Sequence, residues 1–187
     1  DMKKYNVGVM GATGAVGQQM IKVLGERNFP VGELRCLASE RSEGKVLSTP
    51  FGDVTVQRTC ETAFEGLDIV LGASENDIAE AMAPHIKAAG AVFVDNSSAF
   101  RLYPDVPLVV PEINPEHAEI IEAQRKRLGT KRGFIAVKPN CSIQSYVPML
   151  TPLLKFGIKE VVATTYQAIS GAGKTFNEWP EMIDNVI

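Results

Sequence analysis

Apolar residues in this chain fall into short runs, separated by stretches in which they recur every three or four positions. Val7-Gly8-Val9-Met10 is the first run and reads as a buried strand. From Gly14 to Leu24 the spacing becomes helical, with Val16, Met20, Val23 and Leu24 expected on the inner face. Leu34 to Ala38 predicts a second strand, Val54-Thr55-Val56 a third nearer an edge, and Ile69-Val70-Leu71 a fourth. A helix from Ile78 to Ala89 is closed by Gly90, and Val92-Phe93-Val94 is a fifth strand. Strand alternating with helix is the signature of an α/β fold with a largely parallel sheet.

Beyond Asn96 the alternation loosens. Asn114-Pro115-Glu116 predicts a helix start, with Asn as N-cap and Pro at the first position. That helix ends in Arg125-Lys126-Arg127 ahead of Gly129, where cations suit the C-terminal dipole. Phe134 to Val137 is a strand that runs into Pro139-Asn140-Cys141, where a helix begins that Pro148 limits or kinks. Val161 to Ala168, rich in Thr and Tyr, predicts a long strand of another kind, and a further helix is expected from near Lys174. These patterns place a domain boundary near residue 140. Residues 1–140 form an α/β domain, and 141–187 begin an α+β domain that is expected to be incomplete, since no cap or tail follows Asn185-Val186-Ile187. Asp1 ahead of Met2 is expected to be a cloning remnant.

Composition narrows the function classes. Of 187 residues, 45% are hydrophobic and 22% charged, ordinary for a soluble globular protein. A net charge of −3 argues against nucleic acid or an anionic membrane as partner, so any anionic ligand must be held by local groups. No apolar run approaches the roughly 20 residues of a membrane span, and no signal-peptide pattern opens the chain. Cys36, Cys60 and Cys141 are an odd count without a CxxC or a His/Cys cluster. That argues against a disulfide framework or a metal site and for a cytoplasmic protein.

Gly11-Ala-Thr13-Gly14-Ala15-Val16-Gly17 joins the first strand to the first helix. Glycine there permits positive φ and close backbone approach, and the helix N-terminus offers free N–H groups to a phosphate. The spacing is GxxGxxG rather than GxGxxG, but its place after the first strand is the one a Rossmann-like, doubly wound dinucleotide fold requires. A tight turn without a ligand is the plainer alternative. At the end of the second strand, Ser39, Arg41 and Ser42 are suited to a 2′-phosphate and favour NADP, against the dissent of Glu40. An ordinary solvated loop remains the alternative for Arg41 and Lys45.

Cys141 sits where a strand hands over to a helix. Unpaired N–H groups and the positive dipole end favour a thiolate there, and Asn140 is placed to donate to an oxyanion. The alternative is a buried structural cysteine, which is the expected state of Cys36 and Cys60.

Five blocks then occur in order: Gly11 to Gly17, Asn96-Ser-Ser-Ala-Phe-Arg101, Val110-Pro-Glu-Ile-Asn114, Pro139-Asn-Cys-Ser142 and Tyr166-Gln-Ala-Ile-Ser-Gly-Ala-Gly173. Together, from about Lys4 to Trp179, the chain resembles the aspartate-semialdehyde dehydrogenases. That resemblance implies reductive dephosphorylation of aspartyl phosphate to aspartate semialdehyde with NADPH, on the way to lysine, threonine and methionine, in a homodimer. It implies that Cys141 is the nucleophile that forms a thioester, that Gln167 orients the substrate, and that Arg101, with Asn96 nearby, binds the phosphate. It further assigns Thr13 to Val16 to the pyrophosphate, Arg41 and Ser42 to the 2′-phosphate, and Ser170-Gly171 to the nicotinamide side. Arg101 as an ion-pair partner of Asp105, and Gln167 as a plain strand residue, are the alternatives.

The family's acid/base is a histidine of its second half, and neither His85 nor His117 matches it; both are expected on helix surfaces. The chain therefore resembles a front half, expected to bind NADP without turning over and to leave apolar sheet surface exposed around Val161 to Ile169. Related enzymes remain as alternatives: N-acetyl-glutamyl-phosphate reductase, which differs on both sides of the cysteine, and malonyl-CoA reductase. A non-catalytic dinucleotide-binding fragment is the reading from another class.

Overall fold

A computed structural model describes residues 3–183 and groups the chain into two compact units, Asp1–Gln144 and Ser145–Ile187. The expectations for Asp1-Met2 and for Asn185-Val186-Ile187 fall outside the described residues. Among the described residues, no helix is long and apolar enough to cross a membrane.

In chain order the elements are β1 (Tyr5–Met10), α1 (Ala15–Glu26), β2 (Val31–Ala38), β3 (Val46–Thr49), β4 (Gly52–Thr55), β5 (Gln57–Arg58), β6 (Ile69–Gly72), α2 (Asn76–Ala88), β7 (Val92–Asp95), α3 (Ile121–Leu128), β8 (Phe134–Val137) and α4 (Cys141–Leu150). Six strands form one sheet in the order β5-β2-β1-β6-β7-β8, and every neighbouring pair is parallel. Successive strand residues point to opposite faces, so Val9, Cys36 and Ala38 pack with Ile21 of α1 on one side. Met10, Leu37, Val70, Phe93 and Ile135 pack with Ala79, Ala83 and Ile86 of α2 on the other. This is the doubly wound α/β arrangement that the alternation predicts.

Five expectations need correction. The third predicted strand lies outside the main sheet: β4 pairs antiparallel with β3, and the two-residue β5 forms the sheet's edge. The Thr49 hydroxyl ties that hairpin by donating to the Gly52 carbonyl (2.6 Å) and accepting the Phe51 N–H (3.1 Å). The inner face of α1 is also rotated from the predicted one. Gly17 and Ile21 are buried and Met20 and Leu24 partly so, whereas Val16 and Val23 are 47% and 38% exposed. A Cβ on Gly17 would stand 2.2 Å from the Gly11 carbonyl oxygen, so the bare glycine lets this stripe of the helix approach the sheet.

The helix expected from Asn114 is a 3₁₀ turn, Pro115–Ile120, followed by α3. Asn114 makes no side-chain cap; its Oδ1 accepts the Val110 N–H (2.7 Å) and its Nδ2 donates to the Leu108 carbonyl (2.9 Å). The side chain is used up on the preceding loop and cannot also cap the helix.

In the second unit, residues 161–168 form no strand, with Val162 and Tyr166 88% and 89% exposed. A strand needs a ladder partner, and the described residues of this unit contain none. The apolar side chains are exposed as expected, but not as a sheet. The helix expected from Lys174 is also missing among the described residues. Glu178 accepts from Thr175 N and Oγ1 (2.8 and 3.1 Å), which is a helix-start geometry, but Pro180 follows with no N–H and only the 3₁₀ turn Pro180–Met182 forms.

Candidate active site

The carboxyl ends of β1, β2, β6, β7 and β8 lie side by side, because parallel pairing aligns them. β1 lies between β2 and β6, so the chain's progress along the sheet reverses there, the place where open α/β sheets bind ligands. Gly11 leaves β1 with φ +83°, and a Cβ there would meet the Ala73 carbonyl oxygen at 2.3 Å. The Gly11 and Ala12 amides both donate to the Leu37 carbonyl, which fixes the loop on β2. Gly14 precedes α1 in extended conformation, and no side chain caps the helix. Gly14, Ala15 and Val16 are exposed at the crest and Thr13 is partly so. A bare helix start, close-packed glycines and an exposed crest fit a dinucleotide pyrophosphate.

After β2 the chain makes a short 3₁₀ turn, Glu40–Ser42. Ser39 and Arg41 are exposed and Ser42 is buried. Glu40 is paired with Arg58 (3.4 Å), whereas Arg41 has no ion-pair partner among the described residues. Glu40 is thus engaged in a surface ion pair, while Arg41 is left for a ligand.

The loop after β7 is built by Asp95, which is fully buried. Its carboxylate accepts the Ser97 N–H (3.0 Å) and hydroxyl (2.5 Å). Asn76 of α2 holds the next residue, accepting the Ser98 N–H (3.1 Å) and donating to its hydroxyl (2.9 Å). These bonds shape the turn that carries Asn96 and Arg101. Arg101 is no partner of Asp105, which Arg127 holds instead. Its Nε donates to the Lys138 carbonyl and its Nη2 to the Asn96 carbonyl, both at 3.0 Å. The arginine thus ties the loop after β7 to the loop after β8, three residues before Cys141.

Cys141 is exposed at the first position of α4, so it is not a buried structural thiol. Asn140 Oδ1 accepts the Ser142 N–H (2.8 Å) and lies 3.7 Å from the Cys141 sulfur. The asparagine caps the helix with its oxygen. Cys36 is buried, and desolvation pushes its thiol up to about 11. Cys60 is exposed, contrary to the structural role expected of it, and lies near the Thr62 hydroxyl.

Gln167, Ser170 and Gly171 form a second group, within the second unit. Ser170 and Gly171 lie in a 3₁₀ turn, Ile169–Ala172, and the exposed Gln167 side chain lies against Gly171, where a Cβ would meet its Nε2 at 2.3 Å. The histidines serve elsewhere. His85 faces Glu61 at 3.8 Å, and the half-buried His117 sets Nδ1 against the Leu108 backbone.

Sequence reading missed Ser74 and Lys138 at this edge, and it named Asn96 without foreseeing its burial. The Ser74 hydroxyl and the Asn96 Oδ1 are buried without partners, beside the loops after β6 and β7. Lys138 is partly buried, and its Nζ donates to the Pro139 carbonyl (3.1 Å). Burial holds its ammonium below the usual lysine range, the Arg101 guanidinium pushes the same way, and the nearby Cys141 opposes both. The signal in the sequence was a lysine directly after an apolar strand, in the loop of the candidate nucleophile.

Comparison with known proteins agrees with this fold. Residues 6–121 match the family model described as the NAD-binding domain of semialdehyde dehydrogenase. A protein of Aquifex aeolicus named aspartate-semialdehyde dehydrogenase is 49% identical over 171 residues, covering 90% of this chain and 48% of its own length. The crystal structure of aspartate semialdehyde dehydrogenase II from Vibrio cholerae superposes with a TM-score of 0.81 at 42% identity, covering 91% of this chain and 48% of that one. A Candida albicans aspartate semialdehyde dehydrogenase solved with NADP gives 0.67 at 34%, covering 81% and 47%. The chain spans about half the length of the relatives it matches. By the family model, the relatives and the fold alike, the chain belongs to the semialdehyde dehydrogenase family through its NAD-binding domain.

Proposed function

We propose that this chain supplies the cofactor domain and the nucleophile of an NADP-dependent aspartate-semialdehyde dehydrogenase, which reduces aspartyl phosphate to aspartate semialdehyde and releases phosphate. The observation that carries this reading is the corner after β8, where an exposed Cys141 opens a helix and Arg101 is anchored three residues away. The relatives' shared name supports the substrate, and the Candida albicans structure with NADP supports the cofactor.

In this reading the Cys141 thiolate attacks the acyl carbon, a C–S bond forms, and the C–O bond to phosphate breaks. Arg101 receives the departing phosphate through charge-assisted hydrogen bonds from the N–H groups its carbonyl partners leave open. Asn140, with its oxygen engaged on Ser142, has its amide NH₂ left to donate to the oxyanion. Thr13 to Val16 hold the pyrophosphate on the helix start. Arg41, with Ser39 and Ser42, takes the 2′-phosphate, and the pairing of Glu40 with Arg58 supports NADP. NADPH, when bound, supplies the hydride that reduces the thioester. Gln167 orients the substrate, and Ser170 and Gly171 border the nicotinamide.

Labelling with iodoacetamide, followed by peptide mapping, tests the nucleophile. Cys141 is expected to react faster than Cys60, which is also exposed but lies at no helix start. Equal or slower labelling of Cys141 would remove it from the reaction.

A further inference from the structure

Arg101 and Lys138 bring two positive charges to the corner where Cys141 begins α4, and neither has a carboxylate partner among the described residues. The arginine donates to the Lys138 and Asn96 carbonyls, and the lysine to the Pro139 carbonyl. Elsewhere in the same unit the arginines that bond side chains meet acids: Arg35 with Glu33, Arg125 with Glu122, Arg127 with Asp105 and Arg132 with Asp68. Two like charges in a partly desolvated corner repel each other and lose hydration. Carbonyl dipoles hold them there but supply no net negative charge. An anion joining the corner would offset both charges.

We propose that Lys138 and Arg101 form a two-cation subsite beside Cys141 that takes the tetrahedral phosphate group of the acyl phosphate and holds it as it leaves. This rests on the reading of Cys141 and Arg101 given above and adds the residue that completes their charge. Lys138 acts twice: its backbone carbonyl fixes the Arg101 Nε, and its side chain supplies the second cation. The planar guanidinium, with its Nη1 unengaged among the described residues, offers a fixed edge to phosphate oxygens. The lysine adds a compact charge on a flexible stem, suited to a group whose charge grows during departure.

Charge discrimination by alkylating agents tests this on the whole chain without turnover. Iodoacetate is anionic and iodoacetamide neutral, and each forms a C–S bond with a thiolate and releases iodide. The iodoacetate-to-iodoacetamide rate ratio should be higher at Cys141 than at Cys60. Lys138→Gln should lower it on the order of three- to tenfold, while Lys138→Arg retains most of it. Inorganic phosphate should slow iodoacetate labelling of Cys141 and not of Cys60, with a half-protecting concentration that rises by a similar factor in Lys138→Gln. An unchanged ratio and unchanged phosphate protection in Lys138→Gln would overturn the assignment. So would a ratio at Cys141 of the unaltered chain no higher than at Cys60, a result that needs no variant to fold. If iodoacetamide itself labels Cys141 no faster than Cys60, the nucleophile reading falls and this subsite falls with it. Fast neutral labelling without charge discrimination removes the lysine's role alone.

Discussion

Replacing Gln124 should destabilise the first unit far more than a typical polar-to-apolar change on a helix. Gln124 is fully buried on α3, beside β8. Its Nε2 donates to the carbonyls of Ile135 (2.8 Å) and Asp105 (2.9 Å), and its Oε1 accepts the Ile135 N–H (2.7 Å). The primary amide serves β8 as a neighbouring strand would, pairing both backbone groups of Ile135 on the side away from β7. Gln124→Met keeps the volume and removes all three bonds. An orphaned buried group costs about 1–3 kcal/mol. The Ile135 N–H bears that cost in full, while the Asp105 carbonyl, on a partly exposed residue, recovers some of it from water. The sum is about 3–5 kcal/mol, a large share of the roughly 5–15 kcal/mol of an ordinary domain. Urea unfolding followed by circular dichroism should show the midpoint falling by about 1.5–3 M. Gln124→Glu keeps one acceptor but sets a carboxylate oxygen against two carbonyls, so it should be no milder at neutral pH. A Gln124→Met chain within about 1 kcal/mol of the parent would refute the strand-substitute role. β8 delivers Lys138 to Cys141, so the same variant should also loosen the candidate active site.

Two further outcomes follow from the fold. Gly17→Ala drives a Cβ to 2.2 Å from a backbone oxygen and 2.8 Å from the Ala12 Cα, so helix or loop must move; about 1–3 kcal/mol of stability and most of the NADP affinity should go. Calorimetric titration and thermal melts check this, and NADP binding at parental strength would contradict the packed-loop account. Gly14→Ala, whose Cβ meets only one atom, at 3.4 Å and from an ordinary φ, is the mild control. The Asn6 backbone N–H holds the Asp68 carboxyl below the usual aspartate range, with the Arg132 guanidinium assisting. Its stabilising effect is complete above about pH 4 and is lost as pH falls through the folded value. The stability gap between the parent and Asp68→Asn should therefore shrink in acid, and a gap constant from neutral pH to about pH 3 would contradict it.

The sequence determined the order of elements and the chemistry at their joints. Period-two and period-3.6 patterns are local, so strands such as Val92–Asp95 and helices such as Asn76–Ala88 were legible within a few residues. The glycine loop and the Pro139-Asn140-Cys141 corner were legible because each needs particular residues at adjacent positions. What depended on distant partners was not. Valine at 16 and 23 looked like a core face, but which stripe of α1 turns inward is set by the close approach of Gly17 to Gly11. Residues 161–168 have the composition of a strand, yet a strand exists only where another backbone completes its ladder. Asn114 was spent on the loop behind it, and Gln124, an unremarked polar residue on a helix, became a substitute strand. Lys138 shows the division most clearly. Its place in the sequence was plain, but only folding set its carbonyl under Arg101 and its charge beside Cys141, because electrostatic neighbours are fixed by distance in space and not along the chain.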